Sequence, residues 1–143
     1  MKVLFLCHGN VNRSPAGEII LKKIKPEWEV KSAALKICNG GQITAKNMRD
    51  ALNYSGYPTE GIRSSAASQE LIDWADVIFY MDTPNEQKLK ARFGDVPKAI
   101  RISNLINIPK IPDPAFAKGN ELHKKVITML ELALKRYIDE LPT

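Results

Sequence analysis

The sequence predicts an α/β fold in which a parallel four-stranded sheet lies between layers of helices. Short apolar runs, such as residues 3–6 and 77–81, alternate with segments of helical periodicity along the chain. This alternation is typical of parallel sheets whose strands are buried on both faces. The chain has 143 residues, of which 44% are hydrophobic, so we expect residues 1–143 to form a single domain with one core.

The first strand, residues 3–6, leads through a loop into a helix. The loop reads C-H-G-N-V-N-R-S-P over residues 7–15. Ser14 is predicted to cap the helix and Pro15 to lie in its first turn, where a missing N–H costs nothing. The apolar face of this helix is predicted to consist of Ala16, Ile20 and Ile24.

The middle of the chain contains a strand, a loop and two helices. Apolar and charged residues alternate over 28–32, which predicts the second strand. The Asn-Gly-Gly sequence at 39–41 predicts a loop. Thr44 is predicted to cap a helix that runs to about residue 55, and Ser68 to begin a short helix.

The last part is predicted to contain two strands, two helices and a long loop. The strands are residues 77–81 and 99–102, and a helix over 84–93 connects them. Residues 104–118 are rich in proline and are predicted to form a functional surface loop. The C-terminal helix is predicted to bury one stripe and to place His123 on its polar side; the stripe is Leu122, Val126, Met129, Ala133 and Tyr137.

The loop after the first strand combines a thiol with a guanidinium. Its backbone N–H groups can surround an anion at the positive end of the helix dipole, and Arg13 can bind two phosphate oxygens. The helix N-terminus and the guanidinium also favour a thiolate at Cys7, which is the nucleophilic form. A buried structural cysteine would give the same spacing, but the Gly-Asn and Ser-Pro pairs favour a phosphate-binding loop with a nucleophile.

The pattern Cys7-x-Gly-Asn-x-x-Arg-Ser-Pro15 resembles the N-terminal loop of the low-molecular-weight protein tyrosine phosphatases. The resemblance extends along most of the chain and implies a flavodoxin-like sheet with strand order 2-1-3-4. It implies that Cys7 forms a phosphocysteine and that Asp113, before Pro114, is the general acid. It also implies that Ser32 helps to hold the loop asparagine. Substrate contacts are expected from His8, Gly9, Asn10, Val11, Asn12, Ser14, Cys38 and Phe116.

Several positions differ from the family pattern. Cys38 stands where the family often has an aromatic ring, and Ala115 with Phe116 replaces a pair of aromatic residues after Asp-Pro. Asn12 stands where most relatives have a second cysteine. Val11 stands where relatives that act on phosphoarginine carry threonine, so we expect phosphotyrosine or a related aryl phosphate as substrate. Asp82 resembles a family acid, but it could merely cap the following helix.

The composition limits the partners and the location. The net charge is +5 and is scattered, which favours anionic substrates and gives nucleic-acid binding little support. No apolar run approaches the ~20 residues of a membrane span, and two distant cysteines fit a reducing cytoplasm. We expect no metal or cofactor, inhibition by phosphate and vanadate, and a monomer or weak dimer.

Three other functions are compatible with parts of this sequence. A thioredoxin-coupled arsenate reductase shares the loop but needs two further cysteines, and the chain offers only Cys38. A phosphotransfer subunit that carries phosphate on cysteine needs neither Arg13 nor Asp113. A non-catalytic phosphoprotein-binding regulator would keep the loop without turnover.

Overall fold

The computed structural model describes residues 1–36 and 45–142. Among these residues, the sheet has four parallel strands: β1 (Lys2–Cys7), β2 (Glu29–Ala34), β3 (Val77–Tyr80) and β4 (Ala99–Arg101). Their order is β2-β1-β3-β4, which confirms the predicted order.

Within residues 1–36 and 45–142, five α-helices cover the two faces of the sheet, which confirms the three-layer arrangement. They are α1 (Arg13–Ile24), α2 (Lys46–Tyr54), α3 (Gln69–Trp74), α4 (Thr83–Phe93) and α5 (Glu121–Asp139). The core residues of α1, α2 and α5 pack with Val3 and Phe5 of β1, and those of α3 and α4 pack with Leu4 and Leu6. The two sets alternate because successive side chains of a strand point to opposite faces.

The strand register brings the ends of the central strands to one edge. Cys7, the last residue of β1, pairs with Ala34 at the end of β2. On its other side β1 pairs with β3, with Phe5 opposite Phe79. Loops that leave the carboxyl ends of parallel strands therefore meet here, where open α/β sheets bind ligands.

Three predicted features differ in the structure. Ile24, predicted to lie on the apolar face of α1, is exposed, and the buried part of this helix ends at Leu21. The last strand ends at Arg101, and Ile102–Ile106 forms a 3-10 helix. The buried face of α5 is rotated from the predicted stripe, so that His123 is only 2% exposed instead of lying on the polar side. Its buried residues His123, Val126, Ile127 and Leu130 follow the i, i+3, i+4, i+7 spacing of a helix face.

Thr44 and the loop residues 39–41 lie outside the described residues, so the predicted loop stays a prediction. The predicted cap is wrong, because α2 begins at Lys46 and its N-cap residue is Ala45, with no side-chain capping bond. Within residues 1–36 and 45–142, none of the helices has the length and apolar character needed to cross a bilayer.

Candidate active site

The loop between β1 and α1 is held in shape by Asn10. This residue has a φ of 55°, in the left-handed region that asparagine tolerates better than most residues. Its side chain is fully buried; Nδ2 donates to Ser14 Oγ at 2.7 Å, and Oδ1 accepts from the Ser65 backbone N–H at 2.9 Å. One side chain thus ties the loop to the first turn of α1 and to the segment beyond β2.

The prediction that Ser32 holds the loop asparagine directly is wrong. The Ser32 hydroxyl donates to Glu18 Oε1 at 2.5 Å, and the loop asparagine is held by Ser65. Ser65 in turn donates from Oγ to the Ser32 backbone oxygen at 3.1 Å. Ser32 therefore supports the loop indirectly, because its carbonyl helps to place the residue that binds Asn10.

The sulfur of Cys7 lies beneath the loop and is nearly buried, with 3% of the residue exposed. Ser14 Oγ lies 2.9 Å from Sγ. Because Ser14 Oγ accepts a hydrogen bond from Asn10, its own hydroxyl proton is available to the sulfur. That arrangement suits a thiolate, which can only accept.

Ser14 does not cap α1, contrary to the prediction. The helix begins at Arg13, its N-cap is Asn12, and no side chain makes the capping bond. Ser14 is the second helical residue, and its hydroxyl is engaged by the sulfur and by Asn10 instead. Pro15 lies in the first turn, as predicted.

Arg13 is buried, at 2% exposed, and is held by groups from two distant parts of the chain. Its Nη1 donates to Asp82 Oδ2 at 2.6 Å and to the Ile111 carbonyl at 2.9 Å. Asp82 Oδ1 also accepts from the Asn85 N–H at 2.9 Å and so caps α4. Asp82 therefore does more than cap the following helix, because it also forms an ion pair with Arg13.

Asp113 reaches the same guanidinium from the proline-rich loop. Its Oδ2 lies 3.7 Å from Arg13 Nη2, and its Oδ1 accepts from the Ala115 N–H at 3.1 Å. The loop is anchored nearby, because the Ile111 N–H donates to the Met81 carbonyl at 3.0 Å. The Asp113 side chain remains 42% exposed, so it can exchange protons with solvent while it faces the cavity.

A cavity of about 70 Å³ brings most of the predicted site residues together. Asn10 and Ser14 do not line it: both are fully buried and act on the loop and the sulfur. Phe116 is fully exposed, and Ala115 forms the wall in its place. Cys38 lies outside the described residues. The cavity is lined by Cys7, His8, Gly9, Val11, Asn12, Arg13, Asp113 and Ala115.

The charge of Asp113 affects the pKa values of two histidines, His8 and His123. Partial desolvation lowers the pKa of His8, and Lys88, Lys36 and Arg13 lower it further, against an opposing effect of Asp113. Burial lowers the pKa of His123, and Asp113 again opposes this. Both imidazoles are therefore largely neutral at pH 7. Across residues 1–36 and 45–142, no three His, Cys, Asp or Glu side chains form a group that could hold a metal ion.

Both the sequence and the fold of this chain are similar to those of known phosphatases. The family model described as low molecular weight phosphotyrosine protein phosphatase matches residues 2–143. The low molecular weight protein-tyrosine-phosphatase Etp of Escherichia coli K12 is 29% identical over 142 residues, covering 97% of this chain and 93% of Etp. A protein-arginine-phosphatase of Geobacillus stearothermophilus is 28% identical, covering 99% of this chain and 97% of the relative. The crystal structure of the Erwinia amylovora tyrosine phosphatase AmsI superposes with a TM-score of 0.91 at 25% identity, covering 99% of this chain and 93% of AmsI.

Proposed function

The chain belongs to the low molecular weight phosphotyrosine protein phosphatase family and is a cysteine-dependent phosphatase of that type, and we propose that Cys7, Arg13 and Asp113 carry out its reaction. Its substrates are phosphoproteins. The observation that carries the assignment of residues is that a sulfur, a buried guanidinium and a carboxyl group line one small cavity at the end of β1.

The first step transfers the phosphoryl group to sulfur. The Cys7 thiolate attacks phosphorus in line, the bond from phosphorus to the phenolic oxygen breaks, and protonated Asp113 gives its proton to that oxygen. Tyrosine leaves and phosphocysteine remains. Arg13 and the loop N–H groups stabilise the equatorial oxygens as negative charge spreads over them.

The second step hydrolyses the phosphocysteine and regenerates the free enzyme. Asp113, now a carboxylate, takes a proton from a water molecule that attacks phosphorus, and the sulfur–phosphorus bond breaks to release inorganic phosphate. The Ser14 hydroxyl, 2.9 Å from Sγ, stabilises the departing thiolate. Asp82 and the Ile111 carbonyl keep the guanidinium oriented through both steps by holding Arg13 Nη1.

The preferred substrate is phosphotyrosine or a small aryl phosphate. Val11 lines the cavity with an apolar side chain, which suits the flat face of a phenyl ring, while the fully exposed Phe116 is available to a bound peptide. The alternative, phosphoarginine, is favoured by the name of the Geobacillus stearothermophilus relative. We further propose that residues 1–143 act as a single domain, as a monomer or weak dimer, in the cytoplasm, where a nucleophilic thiol stays reduced.

The experiment compares substrates and variants. We expect the protein to hydrolyse para-nitrophenyl phosphate in the presence of a chelator, with inhibition by vanadate and by phosphate. Cys7→Ser should abolish turnover and retain binding of phosphotyrosine peptides, whereas Asn53→Ala, at an exposed position of α2, should leave turnover unchanged.

Three outcomes would contradict the proposal. Turnover by Cys7→Ser would remove Cys7 as the nucleophile. Binding of phosphotyrosine peptides without hydrolysis by the unmodified protein would indicate a regulator. Faster hydrolysis of phosphoarginine than of phosphotyrosine would overturn the substrate preference.

A further inference from the structure

Two lysine side chains lie near His8, at the edge of the cavity, and have no role in the chemistry proposed above. We name Lys36 and Lys88 the basic rim. His8 is exposed and lines the cavity. Lys36 is exposed and adjacent to it, because the Lys36 N–H donates to the His8 carbonyl at 3.1 Å.

Lys88 reaches the same place from α4. It lies one helical turn before Arg92, so the two residues share a face of the helix. Arg92 donates to the Leu35 carbonyl at 2.7 Å and to the Ala67 carbonyl at 3.0 Å. This face of α4 is therefore fixed against the segment that carries Lys36. The effect of both ammonium groups on the ionisation of His8 supports the same placement.

The two lysines of the basic rim are not neutralised within the described part of the protein. Among residues 1–36 and 45–142, neither ammonium group forms an ion pair, and residues 37–44 contain no Asp or Glu. Other surface lysines are paired: Lys22 with Glu18, and Lys46 with Asp50. The two ammonium groups therefore place positive charge beside the cavity, outside the set of residues that line it.

We propose that the basic rim selects phosphorylated peptides that carry a carboxylate side chain beside the phosphorylated residue. The inference rests on the proposed function, since it assumes that the phosphoryl group occupies the cavity. A neighbouring Asp or Glu then lies at the rim and gains attraction that a neutral side chain does not. Charges placed in this way raise association rates and discriminate between partners, and salt weakens the effect.

The experiment measures kcat/KM for two phosphotyrosine peptides that differ only in having Glu or Gln on both sides of the phosphotyrosine. Each exposed ion pair changes kcat/KM by only a small factor, so we expect the Glu peptide to have a kcat/KM about fivefold higher than the Gln peptide at low salt. The preference should fall towards unity in about 0.5 M salt, where the screening length is only a few ångströms.

The variants Lys36→Gln and Lys88→Gln should each reduce the preference, and Lys88→Glu should reverse it. Lys90→Gln is the matched control, because Lys90 is an exposed lysine of the same helix that lines a different surface depression, beside Tyr80 and Asp95. Thermal unfolding and hydrolysis of para-nitrophenyl phosphate by each variant report whether the fold and the cavity are intact.

Equal kcat/KM for the two peptides would overturn the inference, as would a preference that survives Lys88→Glu and Lys36→Gln together. Variants that slow both peptides and para-nitrophenyl phosphate by the same factor would show that the rim attracts any anion, which also contradicts selection of acidic peptides. Failure of the unmodified protein to hydrolyse any of the three substrates would instead refute the proposed function.

Discussion

Replacement of Asn10 by alanine tests whether the shape of the loop depends on this side chain. Asn10→Ala removes a hydrogen bond to Ser14 Oγ of 2.7 Å and one from the Ser65 N–H of 2.9 Å. It also places an alanine at a φ of 55°. The two buried bonds are worth about 1 kcal/mol each, and the left-handed conformation costs alanine about 1–2 kcal/mol. We therefore expect the free energy of unfolding to fall by about 3–4 kcal/mol.

Two further variants separate these contributions. Asn10→Gly loses the same hydrogen bonds but adopts the left-handed conformation freely, at an entropic cost of about 0.5–1 kcal/mol. Since the same conformation costs alanine about 1–2 kcal/mol, we expect Asn10→Gly to be more stable than Asn10→Ala by about 0.5–1 kcal/mol. Asn12→Ala is the matched control, because Asn12 is a neighbouring buried asparagine whose Oδ1 has no partner in the described part of the chain. Removal of the Asn12 side-chain amide should lower the free energy of unfolding by about 0.5 kcal/mol or less.

The assay is urea unfolding of the four proteins, with hydrolysis of para-nitrophenyl phosphate as a measure of loop geometry. We expect the Asn10 variants to lose turnover as well as stability, because the Ser14 hydroxyl is no longer held against the sulfur. A cost for Asn10→Ala no larger than that for Asn12→Ala would refute the argument from hydrogen bonding. Equal stability of Asn10→Ala and Asn10→Gly would refute the argument from backbone strain.

Three other perturbations test the acid, the arginine and the buried imidazole. Asp113→Ala should reduce kcat by about 10²–10⁴-fold for phenyl phosphate and much less for para-nitrophenyl phosphate, whose leaving group needs little protonation; equal losses would remove Asp113 as the acid. Asp82→Asn should lower stability by about 3 kcal/mol, because Arg13 stays buried without its nearest carboxylate. Added phosphate should stabilise this variant more than the unmodified protein, and an equal effect on both would contradict the assigned pairing. Burial lowers the pKa of His123 below its usual 6.5, so the unfolded chain binds the proton more readily than the folded protein. Stability should therefore be full above pH about 6.5 and decline as the pH falls below it, whereas His123→Leu should flatten this decline in denaturant titrations at several pH values; an unchanged decline would show that other groups cause it.

The sheet and the loop could be predicted because their signals are local. Residues 77–81 form a continuous apolar run, and the pattern from Cys7 to Arg13 contains every residue type that the loop chemistry needs within one short segment. The parallel order follows from alternation of strands and helices. These features depend on neighbours in sequence, so a single chain displays them.

The contacts that complete the site depend on residues far apart in sequence. Ser65 holds Asn10 through a backbone N–H across 55 positions, and a backbone donor leaves no mark in the amino-acid sequence. The pairing of Arg13 with Asp82 spans 69 positions, and the cap of α4 already explained the aspartate. The burial of His123 does have a signal in the sequence. His123 begins a series with Val126, Ile127 and Leu130 at the i, i+3, i+4, i+7 spacing of a buried helix face, and the prediction of a polar position for the histidine overlooks this series.

The proposed nucleophile is the last residue of a strand whose side chains alternate between two cores. Cys7 belongs with Val3 and Phe5 to the core beneath α1 and α5, whereas Leu4 and Leu6 face α3 and α4. We therefore expect mutations that enlarge or empty the core around Val3 and Phe5 to shift the sulfur and change its reactivity, even where the protein still folds. Substitutions meant to stabilise the enzyme without changing its chemistry are therefore better placed in the core around Leu4 and Leu6.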